Sequence, residues 1–140
     1  MSTDIRNRDF RRRCLEIYTD WQRVGRRASL REVVEAAIAS PAPSFYVSHD
    51  YAYDKIINMF RKPAMPPATS PRACMWLEIA ALVRAEQLRR GVTVSRALST
   101  VLNFRQPSGF HISTREGLRI ASGVFERRTE HRPRRSAQSI

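Results

Sequence analysis

FYVSHDYAYDKIINMF, residues 45–60, and FHISTREGLRIASGVF, residues 110–125, align without a gap. Both begin and end with phenylalanine, and both place a serine fourth. Ala52 falls opposite Gly117, and Tyr53 opposite Leu118. A proline turn leads into each copy, as PSFYVS at 43–48 and PSGFHIS at 107–113. Further upstream, Leu15-Glu16-Ile17 faces Leu77-Glu78-Ile79. Each half therefore reads as a long helix, a short helix, a proline turn, F-x-V/I-S and a further helix. This order predicts a duplicated three-helix unit, because repeats of this kind reflect one supersecondary unit used twice. The competing reading is two ordinary helical sets whose core positions coincide because amphipathic helices share one period.

Working outward, the first helix is predicted over residues 3–24. Phe10, Cys14, Ile17, Trp21 and Val24 recur at alternating spacings of four and three, which is one stripe of an amphipathic helix. Gly25 supplies a stop. Ser29-Leu30-Arg31-Glu32 matches a capping box and opens the second helix, whose apolar positions are Leu30, Val33, Val34, Ala37 and Ile38. Pro41 and Pro43 forbid its continuation. Ser48 is positioned to cap a third helix, from His49 to about residue 60.

The stretch RKPAMPPATSP, at 61–71, holds four of the eight prolines and reads as a linker between halves. The fourth helix, over 72–90, is apolar nearly all round in its first half and is expected to be the buried central element. Val94, Ala97, Leu98, Val101 and Leu102 predict a fifth helix that repeats the spacing of the second. Ser113 is positioned to cap a sixth, to about residue 128. The resulting expectation is an all-α fold of about six helices. They form two pseudo-repeated three-helix units, 1–62 and 72–128, joined by a linker at 63–71. A basic, disordered tail at 129–140 ends the chain, and the units are expected to share one core. The two F-x-V/I segments leave room for a short antiparallel ribbon, although two isolated strands are marginal.

The charge balance narrows the function. Lysines and arginines number 25 against 13 acids, a net charge of +12, and 23 of the 25 bases are arginine. A GC-rich coding sequence accounts for arginine in place of lysine, but not for the scarcity of acids. A basic excess of this size points to a polyanionic partner. Cys14 and Cys74 show neither a disulfide framework nor zinc spacing, and both are read as buried thiols. No apolar run reaches the roughly 18 residues of a membrane span, and the N-terminus does not read as a signal peptide. A cytoplasmic location follows as the expectation. Glycine-loop, GxSxG and HExxH patterns are absent, so no enzyme, cofactor or metal site is expected.

The string VSHDYAYDKI resembles the start of a recognition helix in helix-turn-helix DNA-binding proteins. In that pattern a small polar cap is followed after four residues by a small residue and after four more by an aliphatic one. Ser48, Ala52 and Ile56 match it, as do Ser113, Gly117 and Ala121 in the second copy. One departure stands against the likeness: the connection between helices is about eight to ten residues with prolines, where the motif uses three or four. Apart from this motif, the chain also looks like small uncharacterised proteins of gut Bacteroidota, a likeness that implies no activity.

The resemblance implies DNA contact at the helix starts, where backbone N–H groups meet phosphate and first-turn side chains enter the major groove. In the first copy the candidates are Ser48, His49 and Lys55, alongside the acids Asp50 and Asp54. In the second they are Ser113, Thr114, Arg115 and Arg119, extended by Arg127 and Arg128. Residues 71–128 carry ten arginines and four glutamates, or +6, whereas 41–70 carry three bases and two acids, or +1. The second copy is therefore preferred. The alternative for both serines is a purely structural cap. Tyr46, Tyr51 and Tyr53 near bases leave open base stacking on single strands, against ordinary half-burial. The functional expectation is a nucleic-acid-binding protein, such as a transcriptional or mobile-element accessory factor. Its rival is a scaffold whose basic face meets an acidic protein partner.

Overall fold

A computed structural model describes the backbone of residues 3–131 and the side chains of 3–123. The chain runs α1 (Thr3–Arg23), α2 (Leu30–Ile38), α3 (His49–Arg61), α4 (Pro71–Arg90), α5 (Val94–Phe104) and α6 (Thr114–His131). No strand occurs among the described residues, and no described helix is long and apolar enough to cross a membrane.

Local chemistry accounts for the boundaries. Gly25, at φ +76°, lets the chain leave α1 in a left-handed turn. Ser29 and Glu32 close a reciprocal capping box, with Glu32 N donating to Ser29 Oγ at 3.2 Å and Ser29 N to Glu32 Oε1 at 2.8 Å. Ser48, Ser70, Thr93 and Ser113 each accept a backbone N–H from the first turn of the following helix. Pro71 opens α4, where its missing N–H costs nothing, and Gly91 closes it at φ +68°.

The helices gather into two clusters that do not follow chain order. Phe10, Cys14 and Ile17 of α1 are buried with Val33, Val34 and Ala37 of α2 and Ile120 and Ala121 of α6. Burial pushes the Cys14 thiol up to about 12. Ala52, Ile56 and Met59 of α3 are buried with Trp76, Ile79 and Val83 of α4 and Ala97, Leu98 and Val101 of α5. The third helix of each sequence unit thus packs on the other unit's pair. The proline-rich stretch joins α3 to α4 within one cluster. The crossings between clusters lie at 39–48 and 105–113, the two repeated phrases.

At the crossing the phrases meet reciprocally. Phe45 stacks on His111 with ring centroids 6.4 Å apart and 21° between planes, and Tyr46 stacks on Phe110 at 6.4 Å and 17°. Tyr46 and His111 are the only described non-glycine residues with positive φ, at 60° and 56°. That left-handed step takes both phrases out of β geometry, which is why the expected ribbon does not form. The backbone bonds go elsewhere: Phe110 N donates to Ile38 O at 3.1 Å, and Ala42 N to Pro107 O at 3.3 Å.

Other expectations change as well. The buried residues fall into two clusters that touch at the crossing. Helix α4 is not enclosed: Met75, Trp76, Ile79, Ala80, Val83 and Glu86 are buried, but Cys74, Ala81, Ala85 and Leu88 face solvent. Alanine reads as apolar in sequence yet loses little by exposure, so a run of alanines does not establish burial. Cys74 is exposed, contrary to its reading as a buried thiol. Val24 is 76% exposed and lies off the α1 stripe, because the helix has already ended.

Candidate functional site

The opening turn of α6 is capped by Ser113, whose Oγ accepts Glu116 N at 3.1 Å. Thr114 is half-exposed. Arg115 is exposed and has no partner among the described residues. Arg119 is also exposed, but its guanidinium grips Glu116, with Nη2 donating to Oε2 at 2.6 Å and Nε to Oε1 at 3.3 Å. Arg6, reaching over from α1, adds a third group, its Nη2 lying 3.5 Å from Glu116 Oε2. The Arg119 hydrogen bond holds the Glu116 carboxyl below its usual range and pushes the Arg119 guanidinium up. Of the two arginines singled out by sequence, one presents its charge to solvent and the other shares it with a neighbour. The side chains of Arg127 and Arg128 lie outside the described residues.

The opening turn of α3 is arranged differently. Ser48 Oγ accepts Tyr51 N at 3.3 Å. His49 is turned back onto its own cluster, with Nε2 3.1 Å from Ser95 O and its ring stacked on Tyr53 at 6.3 Å. Lys55 Nζ lies 5.9 Å from the Trp76 ring. These side chains stitch α3 to α4 and α5. Helices α2 and α3, adjacent in sequence, belong to different clusters: α2 packs on α6, and α3 on α5.

Many of the remaining arginines have structural employment. Arg26 lies over Trp21 at 3.7 Å and Arg84 over Phe60 at 3.6 Å, each covering an apolar ring. Arg89, Arg90 and Arg105 converge on Glu86, which is 1% exposed, with contacts of 2.8, 3.0 and 3.1 Å. Hydrogen bonds from Arg89 foremost, then from Arg105 and Arg90, outweigh burial and hold the Glu86 carboxyl at about 2. Glu86-Arg89-Arg90 follows helical i, i+3, i+4 spacing and is readable in sequence. Arg105, brought in from the far end of α5, is not. Arg12, Arg27, Arg61, Arg96 and Arg115 are exposed without an acidic partner among the described residues. No family model, curated protein or solved structure matches the chain.

Proposed function

We propose that the protein binds nucleic acid, duplex DNA foremost, through the opening turn of α6. The observation that carries this reading is Arg115: an exposed guanidinium with no acidic partner among the described residues, at the second position of a serine-capped helix. Helix N-terminal N–H groups and the positive end of the helix dipole favour phosphate at such a place. Arg119 is the secondary contact, since it must first share or surrender Glu116. The overall charge of +12 supplies long-range attraction. The reading rests on charge and exposure rather than on helix-turn-helix geometry, because α2 and α3 do not pack together.

The test is fluorescence anisotropy with unrelated duplex and single-stranded oligonucleotides at two salt concentrations. Arg115→Ala is expected to lower the salt slope by about one, as for one lost phosphate contact. Arg119→Ala is expected to do less, and Glu116→Gln to tighten binding by releasing Arg119. Absence of binding at low salt, or an unchanged slope in Arg115→Ala, overturns the proposal.

A second reading has its own observation. Leu88 and Phe104 are 88% and 81% exposed and immediately precede Arg89 and Arg105 in the chain. Large exposed apolar residues beside arginine suit a protein interface, here with an acidic partner. Loss of capture of an acidic protein by Phe104→Ser, with oligonucleotide binding intact, would favour it.

A further inference from the structure

Where the two phrases cross, they leave a cleft of about 410 Å³, within the size range of small-molecule sites. Its walls come from both clusters. Phe45, Val47 and Met75 offer apolar surface from one side, and Phe110 from the other. Two arginines are among its lining residues: Arg6 from α1 and Arg72 from the first turn of α4. None of the residues lining the cleft is acidic.

The nearby carboxylates are occupied. Asp9 accepts the Tyr46 hydroxyl at 2.7 Å. Glu78 accepts Ser108 N, Ser108 Oγ and a contact from His111 Nε2 at 2.9, 2.7 and 2.9 Å. Arg6 donates from Nε and Nη2 to Asn7 Oδ1 at 3.1 and 2.9 Å, and its Nη2 lies 3.5 Å from Glu116 Oε2. Among the described residues, Arg72 meets only the Trp76 ring, 5.8 Å away. The cleft thus combines an apolar floor with two arginines, of which Arg72 has no acidic partner among the described residues. Its two left-handed residues, Tyr46 and His111, are the kind of backbone conformation that gathers at binding sites.

We infer that this cleft binds a small organic anion with an apolar body, a medium-chain carboxylate held between Arg6 and Arg72. The carboxylate would accept charge-assisted hydrogen bonds from both guanidinium groups, while the chain lies along Phe45, Val47 and Met75. Because Arg6 belongs to one cluster and Arg72 to the other, the occupant would tie the clusters together. This inference is independent of nucleic-acid binding.

The test uses the full chain and octanoate below its micelle-forming concentration. Isothermal titration calorimetry measures binding, with octan-1-ol and acetate as controls. Saturable one-site binding of octanoate is expected, with both controls at least about tenfold weaker, since each lacks one recognised part. Arg72→Gln, an exposed and structurally mild change, is expected to raise Kd roughly tenfold. Arg6→Gln should do the same while Arg6→Lys retains part of the affinity, with circular dichroism confirming the helical content of each variant. Trp76 gives a local readout, because Tyr51 lines the cleft and meets its ring edge at 5.8 Å. In a Trp21→Phe background Trp76 is the sole tryptophan, and its emission should change with the same Kd. Octan-1-ol or acetate binding as well as octanoate, an unaltered Kd in both glutamine variants, or the absence of saturable heat each overturns the inference.

Discussion

The two crossing phrases share a frame and differ in their fastenings. In each, a buried phenylalanine enters the cluster the chain is joining: Phe45 lies with α3, α4 and α5, and Phe110 with α1, α2 and α6. The next residue turns left-handed and reaches back to a carboxylate on the pair being left. Tyr46 donates its hydroxyl to Asp9 of α1, and His111 meets Glu78 of α4. Burial, followed by this Asp9 bond, pushes the Tyr46 phenol upward. A serine then caps the outgoing helix in both. The difference teaches that the frame needs a ring, a left-handed step and a cap, whereas the polar group at that step is interchangeable if a carboxylate answers it.

The largest expected effect tests whether the clusters stand or fall together. Phe45→Ala and Phe110→Ala should each cost about 3–5 kcal/mol, as large-to-small changes do at fully packed sites. If the crossing makes one cooperative unit, both variants retain a single thermal transition at a lower midpoint. Two resolved transitions in either variant, by calorimetry, would mean that the clusters unfold separately.

Glu86 distinguishes the clusters chemically, since the other has no buried carboxylate among its described residues. Its folded-state value, held down to about 2 from an ordinary 4.5, means that it stabilises the fold above pH 4.5. That contribution fades as pH falls toward 2. Glu86→Gln should therefore lower stability at neutral pH, with its deficit against the parent shrinking on the acid side. A constant deficit from pH 7 down to pH 2 in denaturant titrations would contradict the assignment.

Gly109 sharpens the comparison at the backbone. A Cβ there would lie 2.6 Å from Ile38 O, the acceptor that holds Phe110 N, and a backbone atom cannot swing aside. Gly109→Ala should cost roughly 1–3 kcal/mol. Ser44, its counterpart before Phe45, already carries a side chain whose Oγ accepts Tyr46 N at 3.0 Å, so Ser44→Gly should cost that one bond, about 1 kcal/mol, and no steric clash. Chemical denaturation of the two variants decides this. The smallest expected effect concerns the caps. Ser48→Ala and Ser113→Ala should each lose about 1 kcal/mol and by similar amounts. A clear inequality would break the correspondence of the two helix starts.

The candidate site was legible only in part. Ser113, Thr114, Arg115 and Arg119 were nameable from the cap and the helical spacing. That Arg119 is engaged by Glu116 was also readable, since they stand three apart on one helix. Arg6 and Arg72 were not, because each joins the cleft through contacts between distant segments. His49 is engaged by Ser95, and Lys55, itself exposed, lies near the Trp76 ring; both partners lie well beyond any local pattern.

By itself the sequence determined the helices, their caps and stops, and the likeness of the two phrases. These depend on side chains within about four residues, where hydrogen bonds to free N–H groups and the 3.6-residue period are decided locally. Only the tertiary structure decided which helices keep company, that α3 and α6 change places, and where a cleft opens. Amphipathic faces bury equally well against any complementary face, and burial is non-directional. The choice among partners therefore rests on the crossing itself: two left-handed residues, two stacked ring pairs and the carboxylates that fasten them.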